Sequence, residues 1–133
     1  MANRLLLLQK MAHREGTWEK INRAIRERLR VRLKRDPNKF SAGVVDSQSV
    51  KTTGGVGGEE RGYDGGKKTK GRKRHLLVDT EGFVLKAKVH SAKVMDWDGI
   101  KTLLQRADEH FPRLKHLWVD AGYRGEDKGK DWV

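Results

Sequence analysis

Around Thr80-Glu81-Gly82 the sequence folds back on itself. After this turn Phe83, Leu85, Ala87 and Val89 alternate with Val84, Lys86, Lys88 and His90. A period of two is that of a half-buried strand. Residues 75–79 form a β-prone run before the turn, so the two runs are expected to pair as an antiparallel hairpin. The rest of the chain has to be arranged around that hairpin.

Upstream the period is helical. Trp18, Ile21, Ile25 and Leu29 recur at i, i+3, i+7 and i+11, which predicts one apolar stripe facing a core, with Lys20, Arg23, Arg26, Arg28 and Arg30 on the opposite face. Thr17 is the expected N-cap and Asp36-Pro37 the expected end. A short helix is also expected over residues 4–13. Val44-Val45-Asp46-Ser47-Gln48-Ser49-Val50 reads as a strand entered through Gly43. Residues 54–66 carry seven glycines in thirteen positions, which predicts an irregular loop. That loop lacks the G-x-x-x-x-G-K-[ST] pattern of a phosphate loop. Downstream, Asp96 is placed to cap a helix whose Trp97, Ile100, Leu103, Leu104, Ala107 and Phe111 share a face, ended by Pro112. Residues 114–120 then read as a last strand. The predicted order is helix, strand, loop, hairpin, helix, strand, with no internal repeat: an α/β class.

Charge limits what such a chain does. Thirty Lys and Arg against eighteen Asp and Glu leave +12, and charged residues (36%) match hydrophobic ones (35%). The core is therefore lean, although four Trp, three Phe and the apolar periodicity set the chain apart from disordered sequences. The absence of cysteine excludes a disulfide framework, cysteine-ligated zinc and a catalytic thiol. The longest apolar run, Leu5-Leu6-Leu7-Leu8, falls short of the roughly 18 residues of a membrane span and the roughly 7 of a signal-peptide core. Six of the eight residues 67–74 are cationic, and clustering of this kind is the footprint of nucleic-acid binding.

Two carboxylates stand out against this basic background. Asp46 interrupts a Val-rich strand, where a carboxylate needs a partner. Asp120 ends the apolar run Leu117-Trp118-Val119 just before a glycine-containing turn. Singly, each also reads as an edge residue or a turn former. Together, on two strands, they suggest paired ligands of a hard divalent cation, without which like charges repel. Asp79 reads as a turn residue, and Asp96 and Asp98 as helix N-terminal acids. The five histidines show no metal-ligand spacing.

Several long strings then carry a resemblance. Val45-Asp46-Ser47-Gln48-Ser49-Val50-Lys51-Thr52 resembles the first catalytic-aspartate motif of DDE transposases from bacterial insertion sequences. Arg61-Gly62-Tyr63-Asp64, Lys70-Gly71-Arg72-Lys73-Arg74-His75, Leu77-Val78-Asp79-Thr80, Val89-His90-Ser91-Ala92 and Asp96-Trp97-Asp98-Gly99 continue it in order. Val119-Asp120-Ala121-Gly122-Tyr123-Arg124-Gly125 is similar to the second-aspartate motif, and Gly16-Thr17-Trp18-Glu19-Lys20-Ile21-Asn22 to the segment before the catalytic domain.

The resemblance implies a ribonuclease H-like domain, with the first aspartate on the first strand and the second after the fourth. It implies two Asp and one Glu holding Mg²⁺ for in-line attack on phosphorus. Asp46 and Asp120 match the two aspartates, as catalytic residues and metal ligands. The family's Glu lies beyond Val133, and Glu126 stands too near Asp120 to replace it. The expectation is thus a transposase truncated at both ends and inactive alone: a basic helical segment over residues 1–40, then an incomplete ribonuclease H-like domain over 41–133. The alternative is a non-catalytic DNA-binding protein that regulates or complements a full-length transposase. Either way the partner is DNA, of the element's ends and of the target, with Lys51, Lys67, Lys68, Lys70, Arg72, Lys73, Arg74 and His75 as the expected contacts. A homo-oligomer is admitted, no membrane is involved, and a cytoplasmic, nucleoid-associated location in a bacterium is implied.

Overall fold

The computed structural model describes residues 16–52 and 61–120. The helix expected over residues 4–13 lies outside them, as does Glu126. The chain forms two compact units, residues 1–39 and 40–133.

In the first unit, helix α1 spans Thr17–Arg32. Its N-cap is Gly16, left-handed at φ 63°, and Thr17 is already the first helical residue. Glycine takes that conformation without steric cost. The helix stops at Arg32, four residues ahead of Asp36, because the Arg30 side chain organises the exit. Its Nε donates to the Asp36 carbonyl (2.9 Å) and its Nη2 to the Lys39 carbonyl (3.2 Å). Arg26 donates to the Asn22 side chain at 3.0 Å. These bonds overturn the expected orientation. Arg26 and Arg30 are the buried residues of α1, while Trp18, Ile21 and Ile25 are about half exposed or more (60%, 49% and 53%). A guanidinium with five donors satisfies carbonyls beyond a helix end, which an apolar side chain cannot do.

The second unit holds a mixed sheet of five strands: β1 (Ala42–Lys51), β2 (Gly62–Asp64), β3 (Thr69–Asp79), β4 (Val84–Ser91) and β5 (His116–Val119). β3 lies antiparallel to β1 over residues 71–79. Along its other edge it pairs first with β2 and then with β4. β5 lies parallel to β1 on that strand's far side, with Val45 opposite Val119. A parallel pairing needs a crossover, supplied here by helices α2 (Asp96–Leu104) and α3 (Ala107–His110).

The expected hairpin is present. Asp79 turns it: its Oδ1 accepts the Glu81 and Phe83 backbone N–H groups, both at 2.9 Å, and Gly82 sits at φ 83°. Two expectations fail at the edges of this hairpin. The strand expected over residues 75–79 starts earlier, so residues 69–74 of the basic run are the first half of β3, and residues 62–64 of the glycine-rich stretch form β2. Backbone pairing outweighs the low strand propensity of Gly and Lys here, because β1 and β2 present open ladders on both sides. The extra short strand makes Asp120 follow the fifth strand rather than the fourth. The long helix expected after Asp96 breaks at Gln105, with Arg106 left-handed at φ 58°. Met95 rather than Asp96 is its N-cap.

Opposed residues of neighbouring strands share a face, which sorts the sheet. Val45, Leu77 and Leu85 join Phe40, Ile100 and Leu103 in the core. On the other face Val44, Val89 and Trp118 are exposed (38%, 53% and 56%). Among the described residues no helix is long and apolar enough to cross a membrane.

Gly71 marks the tightest strand contact, since a Cβ there would lie 2.0 Å from the Val50 carbonyl oxygen. Gly71→Ala is therefore expected to cost more than about 2 kcal/mol in urea unfolding. Gly65→Ala, with nothing within 4 Å of the added carbon, is expected to stay within about 0.5 kcal/mol of wild type.

Candidate active site

β1 carries Asp46 on the face opposite to Val45, paired with Leu76 of β3. Its carboxylate is exposed and accepts the Ser47 N–H at 2.8 Å. Across the parallel β1–β5 ladder, Val45 is level with Val119. Asp46 and Asp120 each follow those residues by one, Asp46 within β1 and Asp120 just past the end of β5, so the two aspartates follow the last registered pair of the ladder. Both are solvent-accessible. Two hard oxygen donors of this kind suit a divalent cation. Among the described residues, no third acid or histidine completes a ligand cluster with them.

The expected DNA contacts divide by face. Lys70, Arg72 and Arg74 alternate along β3 and lie on the face that also carries Asp46, with Arg74 paired opposite Gln48 and Arg72 opposite Val50. The Arg74 guanidinium donates to the Gln48 side-chain carbonyl. Lys51 ends β1 and is exposed, as are Lys67 and Lys68 in the turn before β3. Lys73 and His75 are different. They are 3% and 0% exposed, on the face turned towards α2, and so have no surface on which to meet a phosphate.

Lys73 is instead the centre of a buried ion triad. Its Nζ lies 3.1 Å from Asp64 Oδ2 and 2.9 Å from Asp96 Oδ1, and donates to the Val94 carbonyl at 2.9 Å. Burial alone would lower the Lys73 pKa, but the two carboxylates outweigh it and hold the ammonium charged. Asp64 is treated likewise. Burial opposes its charge, yet bonds from Ser49 Oγ (2.6 Å), the Lys67 N–H (3.0 Å) and Lys73 keep its pKa far below the usual carboxylate range. In Asp96, too, burial is overcome by Lys73, and the pKa falls. The sequence signals this triad weakly: Asp64 precedes Gly65-Gly66 as a turn former would, and Asp96 has a sufficient role at a helix N-terminus.

His75 lies beside the triad and stacks on His90, with ring centroids 4.8 Å apart. Helix α2 presses close here, since a Cβ on Gly99 would be 2.3 Å from His75 Nε2 and 2.8 Å from His90 Nε2. Burial, and then the His90 charge, push the His75 pKa down to about 4.

Comparison with known proteins gives the arrangement its context. Residues 37–132 match the family described as the transposase DDE domain. The chain belongs to the DDE transposase family. The mixed α/β sheet with flanking helices is the ribonuclease H-like fold expected of that family, and DDE transposases use divalent metal ions. No curated protein and no solved structure gives a significant match to the chain.

The buried histidine generates a pH prediction for this DDE domain. The groups facing it are His90, Asp96, Lys73 and Lys67. Its folded pKa of about 4 lies below the ordinary 6.5, so the unfolded chain takes up the proton first. Its contribution is complete above pH 6.5 and is lost as pH falls towards 4, by up to about 3 kcal/mol at roughly 1.4 kcal/mol per unit. Thermal unfolding followed by circular dichroism is expected to show Tm falling through this window. His75→Leu is expected to flatten the fall.

Proposed function

We propose that this chain is a DNA-binding transposase domain in which Asp46 and Asp120 hold Mg²⁺ for phosphoryl transfer. The observation that carries the reading is that the parallel ladder pairs Val45 with Val119, the residues just before the two aspartates, at the end of a row of cations. Lys70, Arg72 and Arg74 step along the face of β3 towards Leu76, the residue opposite Asp46. A strand advances about 6.6–6.8 Å for each same-face residue, so the row can follow a sugar-phosphate backbone and lead it to the two acids. Lys51 and Lys68 add charge at the near end, while the Lys67 ammonium is bonded to Ser47. The contacts are to phosphate, which positions the duplex without reading its sequence.

The chemistry supplied by the bound cation is activation of water or a 3′-hydroxyl and charge neutralisation at the phosphorus-bound oxygens. The protein's part is to fix the acids on rigid strands and to bring the strand to them. The two carboxylates, both solvent-accessible, would hold the cation where DNA can reach it. The partner DNA is that of an insertion sequence and its target.

A second reading has an observation of its own. No third ligand joins Asp46 and Asp120 among the described residues, and on this reading the chain binds DNA without cutting it and complements a catalytically competent transposase. Incubation with Mg²⁺ and duplex DNA separates the two. Strand cleavage that disappears in Asp46→Asn supports the enzyme, and binding without cleavage supports the second role.

Two measurements test the shared ground. Each phosphate neutralised contributes about 0.9 to the salt slope of DNA affinity, so Lys70→Ala/Arg72→Ala/Arg74→Ala is expected to lower the slope in fluorescence anisotropy by about 2–3. An unchanged slope would put the DNA elsewhere. Mn²⁺, as a stand-in probe, is expected to bind the wild type by electron paramagnetic resonance and to be lost in Asp46→Asn/Asp120→Asn. Retention of Mn²⁺ by that double variant would remove the metal assignment.

A further inference from the structure

Arg74 stands near two acceptors of different kinds. The β1–β3 register puts Gln48 directly opposite Arg74, and Leu76 opposite Asp46. Asp46 therefore lies on the diagonal from Arg74, on the same face of the sheet. Such a diagonal spans about 7–8 Å between Cα atoms, within reach of a long side chain. A guanidinium binds a carboxylate roughly twice as strongly as a neutral acceptor. The structure shows the other choice. Arg74 Nη2 donates to Gln48 Oε1, and among the described residues Arg74 forms no ion pair with Asp46, whose carboxylate accepts the Ser47 N–H. On its other flank Arg74 is level with Val89 of β4, which offers its stem an apolar surface and no side-chain acceptor.

We infer that Gln48 is a positioning residue: it holds Arg74 away from Asp46, which leaves the carboxylate to a divalent cation and the guanidinium to a backbone phosphate. This rests on the metal and DNA reading proposed above and refines it. Paired with Asp46, Arg74 would neutralise one of the two carboxylates that face the cation, and its own charge with it. Held by a neutral amide, it keeps its full charge and the rest of its five donors. A planar fork oriented in this way suits bidentate contact with a phosphate.

Gln48 carries no charge, so replacing it by Met leaves long-range electrostatics unchanged. Mn²⁺ binding by electron paramagnetic resonance and duplex affinity by anisotropy are measured on the full chain. The proteins compared are wild type, Gln48→Met, Arg74→Ala and the double variant. Gln48→Met is expected to bind both Mn²⁺ and DNA severalfold more weakly, because the released Arg74 moves onto Asp46. Arg74→Ala loses DNA affinity by itself and has no guanidinium to move. Adding Gln48→Met to it is therefore expected to change neither affinity further, the signature of two residues that act through one contact. Both side chains are exposed, so every variant is expected to keep the wild-type melt by circular dichroism. Gln48→Ala repeats the comparison with a shorter side chain.

Wild-type Mn²⁺ affinity in Gln48→Met and Gln48→Ala would overturn the inference. So would an equal loss in the Arg74→Ala background, which would make Gln48 itself a contact of the metal or the DNA. A wild-type chain that takes up neither Mn²⁺ nor DNA would instead remove the reading of the site, and this inference with it.

Discussion

The second unit depends on an ammonium with almost no water around it. Lys73 Nζ has acceptors at 2.9–3.1 Å from three separate parts of the chain: the end of β2, the loop after β4 and the first turn of α2. Removing one partner of such a buried pair leaves an uncompensated charge, a loss of roughly 3–5 kcal/mol. Its value here is geometric. A lean core of Phe40, Val45, Leu77, Leu85, Ile100 and Leu103 can hold α2 against one end of the sheet. The triad does the equivalent at the other end, tying β2 and β3 to the first turn of α2.

That division of labour sets where chemistry can occur. Apolar contacts and the triad occupy the face of the sheet turned towards α2, and Gly99 lets the helix approach the His75 and His90 rings closely. The opposite face is left for charge. There Asp46 and the residue before Asp120 are set by the β1–β5 ladder, a backbone feature that does not depend on the side chains it carries. The cations Lys70, Arg72 and Arg74 reach the same face by strand alternation alone. The site proposed above would draw its rigidity from these strands, as phosphoryl transfer requires, since positioning and charge neutralisation do most of the work there.

Much of this was legible beforehand, and the reasons differ by element. The hairpin at residues 79–83 was readable because its turn chemistry and its period are both local. The two aspartates drew attention because a carboxylate inside a Val-rich strand and another at a strand end are each anomalous. The stripe of α1 misled, since Trp18, Ile21 and Ile25 carry a helical period whichever side is covered, and the carbonyls of Asp36 and Lys39 claim Arg30 instead. β2 was hidden because three residues among glycines have no periodicity to detect.

The sequence by itself determined the α/β class, the hairpin and the family resemblance, because each rests on spacing or on residue type within a short window. Only the tertiary structure decided which members of the basic run are surface. Lys70, Arg72, Lys73 and Arg74 look alike in a strand that carries cations on both faces, so alternation gives no sign of an interior. Lys73 and His75 are interior because Asp64 and Asp96, nine and twenty-three residues from Lys73 in the chain, are folded against one of them and Gly99 against the other. Burial of a charge is decided by partners distant in sequence, and no local pattern records them.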